Sequence, residues 1–228
     1  MEFDLTSPIS ARESLNNFKT KSISKIVFYH FTTYPRHEES DLYKGLKNLN
    51  EIINNPDTAL GRFLLQHHIY IDSNRKMPLI EFKDQDKTIV LDKNNKEVSD
   101  TWNSVIQRLK NDSGTNGFFI PDCLDYPGIT EAPEFLRSID MATKNDKKVS
   151  QTYLVRDWQE QDLEFYAARC IIPYNDKTKK ISNDFIEAAK KAIAFDNTSY
   201  DPYLIIIDSD IVDLIEVTEV FSASCLIN

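Results

Sequence analysis

The sequence predicts an α+β fold, in which a mixed or antiparallel sheet with β-hairpins packs against several amphipathic helices. Three short apolar segments, 68–71, 79–82 and 88–91, are separated by polar turn sequences, which predicts two adjacent hairpins. Other segments have helical periodicity, but they do not alternate with single strands as in a doubly wound sheet. Both observations favour α+β.

The N-terminal part predicts a helix, a strand and a second helix. Ser10 and Glu13 have capping-box spacing and should open a short helix. The aromatic and β-branched segment 26–31 predicts a strand. From Ser40 the periodicity is helical, and Pro56 ends that helix. The apolar residues predicted for its inner face are Leu42, Leu46, Leu49 and Ile53.

Further helices are predicted on both sides of the hairpins and near the C-terminus. Asp57 and Asp100 are the expected N-caps of two of them. The segment 163–172 fits a helix or a strand, and its near-alternation of apolar residues favours the strand. The segment 182–195 has the clearest helical pattern, and it leads into a strand at 203–207.

The length of 228 residues suits one large domain or two small ones, and we predict a single domain over residues 1–228. The segment from about 111 to 150 contains three of the five glycines and three of the nine prolines. It is therefore predicted to be loop-rich, and it is the expected place of a lid or a subdomain boundary.

The composition predicts a soluble protein of the cytoplasm. The formal net charge of −9 disfavours binding to nucleic acid and to anionic membranes. Cys123, Cys170 and Cys225 are far apart, which argues against a disulfide framework. Neither a signal-peptide pattern nor an apolar stretch of about 18 residues is found, so export and membrane insertion are not expected.

The strongest charge asymmetry lies at the C-terminus. Lys191 is the last basic residue, and seven carboxylates follow it, interleaved with the apolar run 202–212. Such a surface attracts basic partners. We therefore predict a recognition face in this region, with the following candidate interface residues: Tyr200, Asp201, Tyr203, Asp213, Glu216 and Glu219.

Two of these C-terminal acids admit a metal-binding interpretation. Asp208 and Asp210 follow the predicted strand at alternate positions, where their oxygens could hold a divalent cation. The string resembles the Asp-X-Asp strand of nucleotide-sugar glycosyltransferases. The resemblance implies a Mg²⁺ or Mn²⁺ site at Asp208 and Asp210, whereas the simpler interpretation is a turn between two strands.

A second carboxylate set lies in the predicted hairpins. Asp57, which follows Pro56, or Asp72 precedes Glu81 and Lys83. This order resembles the Pro-Asp…(Asp/Glu)-X-Lys signature of restriction-type nucleases. The resemblance implies that Asp72 and Glu81 bind Mg²⁺ while Lys83 steadies the attacking hydroxide. The alternative is a surface ion pair across a hairpin.

His30 lies in the aromatic strand predicted at 26–31. A histidine there resembles the nicotinamide-binding strand of some ADP-ribosyltransferase toxins. The resemblance implies NAD⁺ binding, with Glu216 or Glu219 completing the site. A half-buried strand histidine without a catalytic role is the alternative.

The adjacent His67 and His68 project in different directions in regular structure, so a zinc site shared by the two histidines is not expected.

The preferred hypothesis is a macromolecule-binding protein of the accessory, immunity or inhibitor type, with an acidic C-terminal face and no cofactor. Its expected partner is a protein with a basic surface; nucleic acid is less favoured. Two enzymatic alternatives remain open. One is a metal-dependent phosphodiester hydrolase or nucleotide-sugar transferase that uses Mg²⁺ or Mn²⁺, and the other is an ADP-ribosyltransferase-like toxin.

Overall fold

The architecture is taken from a computed structural model, which describes residues 2–3, 8–19, 24–53, 55–111, 115–119, 132–181, 186–187, 189–190, 204–208 and 211–223. The chain divides into two compact units. Unit 1 comprises Met1–Leu46, Gly114–Thr130 and Glu164–Asn228, and unit 2 comprises Lys47–Ser113 and Glu131–Leu163. Two of the passages between the units fall within the segment 111–150. The assignment of the whole chain to a single domain stays a prediction.

The helices among the described residues are α1 (Pro8–Lys19), α2 (Leu49–Ile53), α3 (Ala59–Gln66), α4 (Lys96–Asn111), α5 (Glu134–Asn145) and α6 (Leu154–Gln159). The strands are β1 (Glu2–Phe3), β2 (Lys25–Pro35), β3 (Ile69–Asp72), β4 (Leu79–Phe82), β5 (Lys87–Val90), β6 (Thr115–Phe118), β7 (Leu163–Pro173), β8 (Leu204–Ile207) and β9 (Glu216–Ser222). The combination of helices with antiparallel β-sheets confirms the predicted α+β class.

Unit 1 is built on a sheet with the strand order β8-β6-β2-β7-β9, in which β1 also pairs in parallel with the start of β2. The pairs β6–β8 and β7–β9 are antiparallel. Ile26, Val27 and Phe28 of β2 are almost completely buried, because this strand lies inside the sheet. Gly117 of β6 is required there, since a Cβ at that position would lie 2.5 Å from the Phe28 ring.

Unit 2 contains the antiparallel meander β3-β4-β5, which confirms the two predicted hairpins. One face of this sheet is buried and apolar, and the alternation of side chains along each strand is responsible. Trp102 of α4 is buried against it, with its ring centroid 6.1 Å from that of Phe82. The Trp102 indole also donates a 2.7 Å hydrogen bond to Asp146, just after α5.

Several predicted boundaries are displaced. The helix expected from Ser40 is a 3-10 helix at Glu39–Lys44, and α2 begins only at Leu49. Thr58, not Asp57, caps α3, because its hydroxyl accepts from the Gly61 amide. The helix expected to start at Asp100 already begins at Lys96.

The segment predicted to be loop-rich contains a helix in its second half. There α5 buries Phe135, Leu136, Ile139 and Ala142 on one face. By contrast, the favoured strand at 163–172 is confirmed as β7. The helix predicted at 182–195 falls mostly outside the described residues. None of the described helices is long and apolar enough to cross a membrane.

Candidate functional site

The predicted recognition face is only partly described. Tyr200, Asp201 and Tyr203 lie outside the described residues. Asp213 lies in a short 3-10 helix, Val212–Leu214, directly before β9. Glu216 and Glu219 lie on β9 itself. All three carboxylates are solvent-exposed, and we call Asp213, Glu216 and Glu219 the acidic face.

An irregularity in β9 aligns its two glutamates. In the antiparallel register, Arg169 is opposite Glu219 and Ile171 is opposite Glu216, with a register shift that leaves Thr218 as the extra residue. Opposite residues share a face of the sheet, as do residues two apart on β7. Glu216 and Glu219 therefore lie on the same face, although three positions separate them. Without the bulge they would lie on opposite faces.

Glu216 and Glu219 of the acidic face lie at the edge of the unit 1 sheet, since β9 is the last strand in the order. Tyr43, from the 3-10 helix Glu39–Lys44, accepts a 3.0 Å hydrogen bond from the Val220 amide. Ser222 donates a 2.7 Å hydrogen bond to Glu164, whose other carboxylate oxygen pairs with Arg36 at 3.0 Å. The bond from Val220 satisfies one backbone group of the strand edge, and the bond from Ser222 connects β9 to Glu164 of β7.

The carboxylates of the acidic face form no ion pair with any basic group of the described residues. Arg169 is directly opposite Glu219, but its Nη1 donates to the Thr218 hydroxyl at 3.2 Å. The negative charge of this face is therefore not neutralised by a local salt bridge within the described part of the chain. Exposed charges of this kind act over about 8 Å at physiological ionic strength.

Only one residue of the first proposed metal pair lies among the described residues. Asp208 directly follows β8 and is exposed, and Asp210 lies outside the described residues. Within the described ranges, no group of three or more histidine, cysteine, aspartate or glutamate side chains is arranged to hold a metal ion. The Mg²⁺ or Mn²⁺ site at Asp208 and Asp210 stays a prediction.

The second proposed set is spread over the exposed face of the unit 2 sheet. Asp72 and Glu81 share that face, because Glu81 is opposite Tyr70, two residues before Asp72. Asp72 is paired with Arg75 at 2.8 Å. The Lys83 ammonium lies 4.9 Å from the centre of the Tyr70 ring, in a cation–π contact. These contacts use Asp72 and Lys83 in ways that the nuclease interpretation does not require, and that interpretation stays untested.

His30 lies on β2 and is directed towards β6. Its Nδ1 is 2.9 Å from the Asn116 carbonyl oxygen, and it must donate because a carbonyl only accepts. Desolvation by burial lowers the pKa of His30, and the bond to Asn116 opposes this shift. Glu216 and Glu219 lie on the far side of β7 from β2. The ADP-ribosyltransferase interpretation thus has its residues on non-adjacent strands and stays a prediction.

The lowered pKa of His30 predicts a pH-dependent stability. The unfolded chain binds a proton to this histidine near pH 6.5, whereas the folded chain binds it only at lower pH. Folding stability contributed by the neutral imidazole is therefore lost as the pH falls from about 6.5 towards the folded pKa. We expect His30→Gln to reduce this loss, as measured by urea unfolding followed by circular dichroism at about pH 7.5 and about pH 5.5.

His37 provides the matched control for this experiment. It is exposed and has a left-handed backbone with φ of 72°, which asparagine tolerates. The variant His37→Asn should retain the wild-type loss of stability between the two pH values. Equal losses in the wild type and in His30→Gln would contradict the assignment.

A thiol nucleophile is disfavoured at the described cysteine. Cys170 of β7 is buried, and desolvation raises its pKa to about 12. Its Sγ lies 3.4 Å from the Ala168 carbonyl oxygen. At neutral pH this group is the unreactive thiol, because the thiolate is the nucleophilic form.

The sequence interpretation missed a surface pocket in unit 2. Its volume is about 220 Å³, and it is lined by His67, His68, Ile69, Phe82, Asp84, Gln85, Gln151, Thr152, Tyr153, Leu154 and Asp157. His67 is the C-cap of α3, and His68 has a left-handed backbone with φ of 54°. This departure from regular structure allows adjacent histidines to line the same pocket.

Each histidine of the pocket faces a different carboxylate. His67 Nδ1 lies 3.8 Å from Asp157 Oδ2, and His68 Nδ1 lies 3.8 Å from Asp84 Oδ1. The His67 ring also packs on Phe63, with ring centroids 4.3 Å apart. Four ionisable residues from three chain segments thus meet here. The only sequence signal was the adjacent histidines, since the carboxylates are 16 to 90 residues away in the chain.

The wall formed by residues 151–153 is fixed by a partly buried polar network. Asp140 of α5 accepts hydrogen bonds from the Thr152 hydroxyl at 2.7 Å and from the amides of Leu154 and Val155 at 2.8 and 2.9 Å. Thr143 reinforces this arrangement by accepting from the Thr152 amide at 3.0 Å. The segment is therefore held by α5 through side-chain oxygens in place of a regular ladder of backbone bonds.

Comparisons with protein-family models, with curated proteins and with solved structures found no significant match. Function is therefore inferred from the geometry and charge of the two regions described above.

Proposed function

We propose that this protein is a cytoplasmic accessory, immunity or inhibitor-like component that binds a protein with a basic surface through the acidic face. The observation that supports this most is the bulge in β9, which brings Glu216 and Glu219 to one exposed face of an edge strand. Neither forms an ion pair with a basic side chain of the described residues. A basic partner would supply the missing counter-charges.

The expected contribution of this face is to association rate and selectivity. Complementary charges steer two proteins together and raise the association rate constant, and the effect weakens as salt screens the field. The formal net charge of −9 adds a general attraction for basic proteins. The acidic face would direct that attraction to one side of unit 1.

The test separates the acidic face from the net charge. The double variant Glu216→Lys with Glu219→Lys changes the formal charge by +4. Asp100→Lys with Glu160→Lys changes it by the same amount at exposed positions of unit 2. Each variant and the wild type would serve as bait in extracts of the source cells, with quantitative mass spectrometry of the captured proteins.

We expect a basic protein that the wild type and the unit 2 variant capture at similar levels, and that the Glu216/Glu219 variant loses. Retention of every captured protein by the Glu216/Glu219 variant would contradict the proposal. Equal losses with both variants would also contradict it, because the net charge alone would then explain the binding.

A further inference from the structure

The pocket of unit 2 has a negative lining. Its charged residues are Asp84 and Asp157, and neither lysine nor arginine is among its lining residues. Arg156 forms an ion pair with Asp157 and offsets much of its charge, but its Nε and Nη2 bind only Oδ1, at 2.9 and 2.7 Å, so Oδ2 keeps its capacity to accept hydrogen bonds. The remaining lining is formed by His67 and His68, by uncharged polar side chains and by a few apolar ones. A ligand of positive charge is therefore favoured.

Carboxylate oxygens remain available for such a ligand. Asp157 Oδ2 faces His67 at 3.8 Å, which exceeds hydrogen-bond distance. Asp84 Oδ1 is at the same distance from His68. Within the described part of the chain, no donor lies within hydrogen-bond distance of either oxygen. Both oxygens can therefore accept hydrogen bonds from a ligand.

The backbone adds to the preference for a cation. His67 and His68 follow the last residue of α3, so the pocket adjoins the C-terminal end of this helix. Helix C-termini carry partial negative charge and stabilise nearby cations. The C-terminal end of the helix and the two carboxylates thus both carry negative charge, and both attract a cation.

The size of the pocket limits the ligand. A volume of about 220 Å³ accommodates a ligand of several heavy atoms, well above a single water molecule. The carboxylates and the polar lining favour a ligand that donates several N–H hydrogen bonds. We propose that this pocket binds a small organic cation, a primary ammonium or guanidinium compound. This site is independent of the acidic face of unit 1.

A metal ion and an anion both fit the pocket less well. The described residues contain no arrangement of three or more potential ligand side chains that would hold a metal. An anion would meet Asp84 and Asp157 without a lysine or arginine of the lining to offset them. An organic cation needs only two carboxylates and a few acceptors.

The experiment is calorimetric titration of the full chain with 1,4-diaminobutane and with methylguanidine. Tetramethylammonium and 1-butanol are the control ligands, because the first lacks N–H donors and the second lacks charge. The variants are Asp84→Asn and Asp157→Asn, with Asp100→Asn of α4 as the matched exposed control. We expect at least one of the two N–H cations to bind the wild type, with both control ligands at least tenfold weaker.

The same cation should bind Asp84→Asn and Asp157→Asn at least fivefold more weakly, and Asp100→Asn like the wild type. The side chain of Asp84 is mostly exposed and faces His68, so Asp84→Asn gives a readout even if Asp157→Asn disturbs folding. Absence of binding by both N–H cations would overturn the proposal. Unchanged affinity in Asp84→Asn would overturn it as well.

Discussion

Replacing Asp140 with alanine should lower the free energy of unfolding of unit 2 by about 3 kcal/mol or more. The side chain accepts hydrogen bonds from the Thr152 hydroxyl and from the amides of Leu154 and Val155. Alanine would leave three partly buried donors without their acceptor. Hydrogen bonds to a charged group contribute about 1.5–3 kcal/mol each, although contributions within one network do not add fully.

Urea unfolding followed by tryptophan fluorescence reports on the stability of unit 2. Both tryptophans of the sequence, Trp102 and Trp158, are buried and belong to unit 2. Met141→Ala is the control, because Met141 is adjacent on α5 and 58% exposed. It should change stability by no more than about 0.5 kcal/mol. Similar midpoints for Asp140→Ala and the wild type would contradict the described network.

Gly61→Ala should destabilise unit 2 by about 2–4 kcal/mol, although alanine is the better helix former. Helix propensity alone favours alanine by about 1 kcal/mol. In the structure, however, a Cβ at Gly61 would lie 2.1 Å from the Asn55 carbonyl oxygen and 2.8 Å from that of Ile52. Both atoms belong to the backbone, so relief requires the segment before α3 to move. The steric effect is therefore expected to exceed the gain in propensity.

Gln66→Ala provides the comparison within the same helix. Gln66 is the last residue of α3 and is exposed, so the change tests propensity without a clash. We expect its unfolding midpoint to stay within about 0.5 kcal/mol of the wild type. If Gly61→Ala were instead more stable than the wild type in the fluorescence assay, the close approach of Asn55 to α3 would be wrong.

The hairpins of unit 2 could be predicted because their signal is local. The residues of β3 alternate between buried and more exposed over four positions, and a turn sequence follows them. Helix starts were predicted less well, because several nearby residues can cap. Thr58 and Asn95 take the positions for which Asp57 and Asp100 were expected, and the Asn95 side chain accepts from the Val98 amide. Only the actual path of the chain decides between such neighbours.

The pocket could not be predicted, because it depends on contacts between distant segments. Asp84 and Asp157 are 73 residues apart, and both line the pocket only because the Asp140 network positions the segment that includes residues 151–153.

The alignment of Glu216 and Glu219 on one face of β9 could not be predicted from the sequence either. Simple strand alternation would have placed them on opposite faces, and the bulge is visible only in the pairing with β7.

The role of the acidic face is tested most directly by association kinetics with a short lysine- and arginine-rich peptide over a series of salt concentrations. The wild type, the Glu216/Glu219 double lysine variant and the Asp100/Glu160 double lysine variant would be compared. We expect the first variant to lower the association rate constant about tenfold at low salt, and the second to change it less than about twofold. Equal rate constants for the two variants at every salt concentration would contradict a localised recognition face.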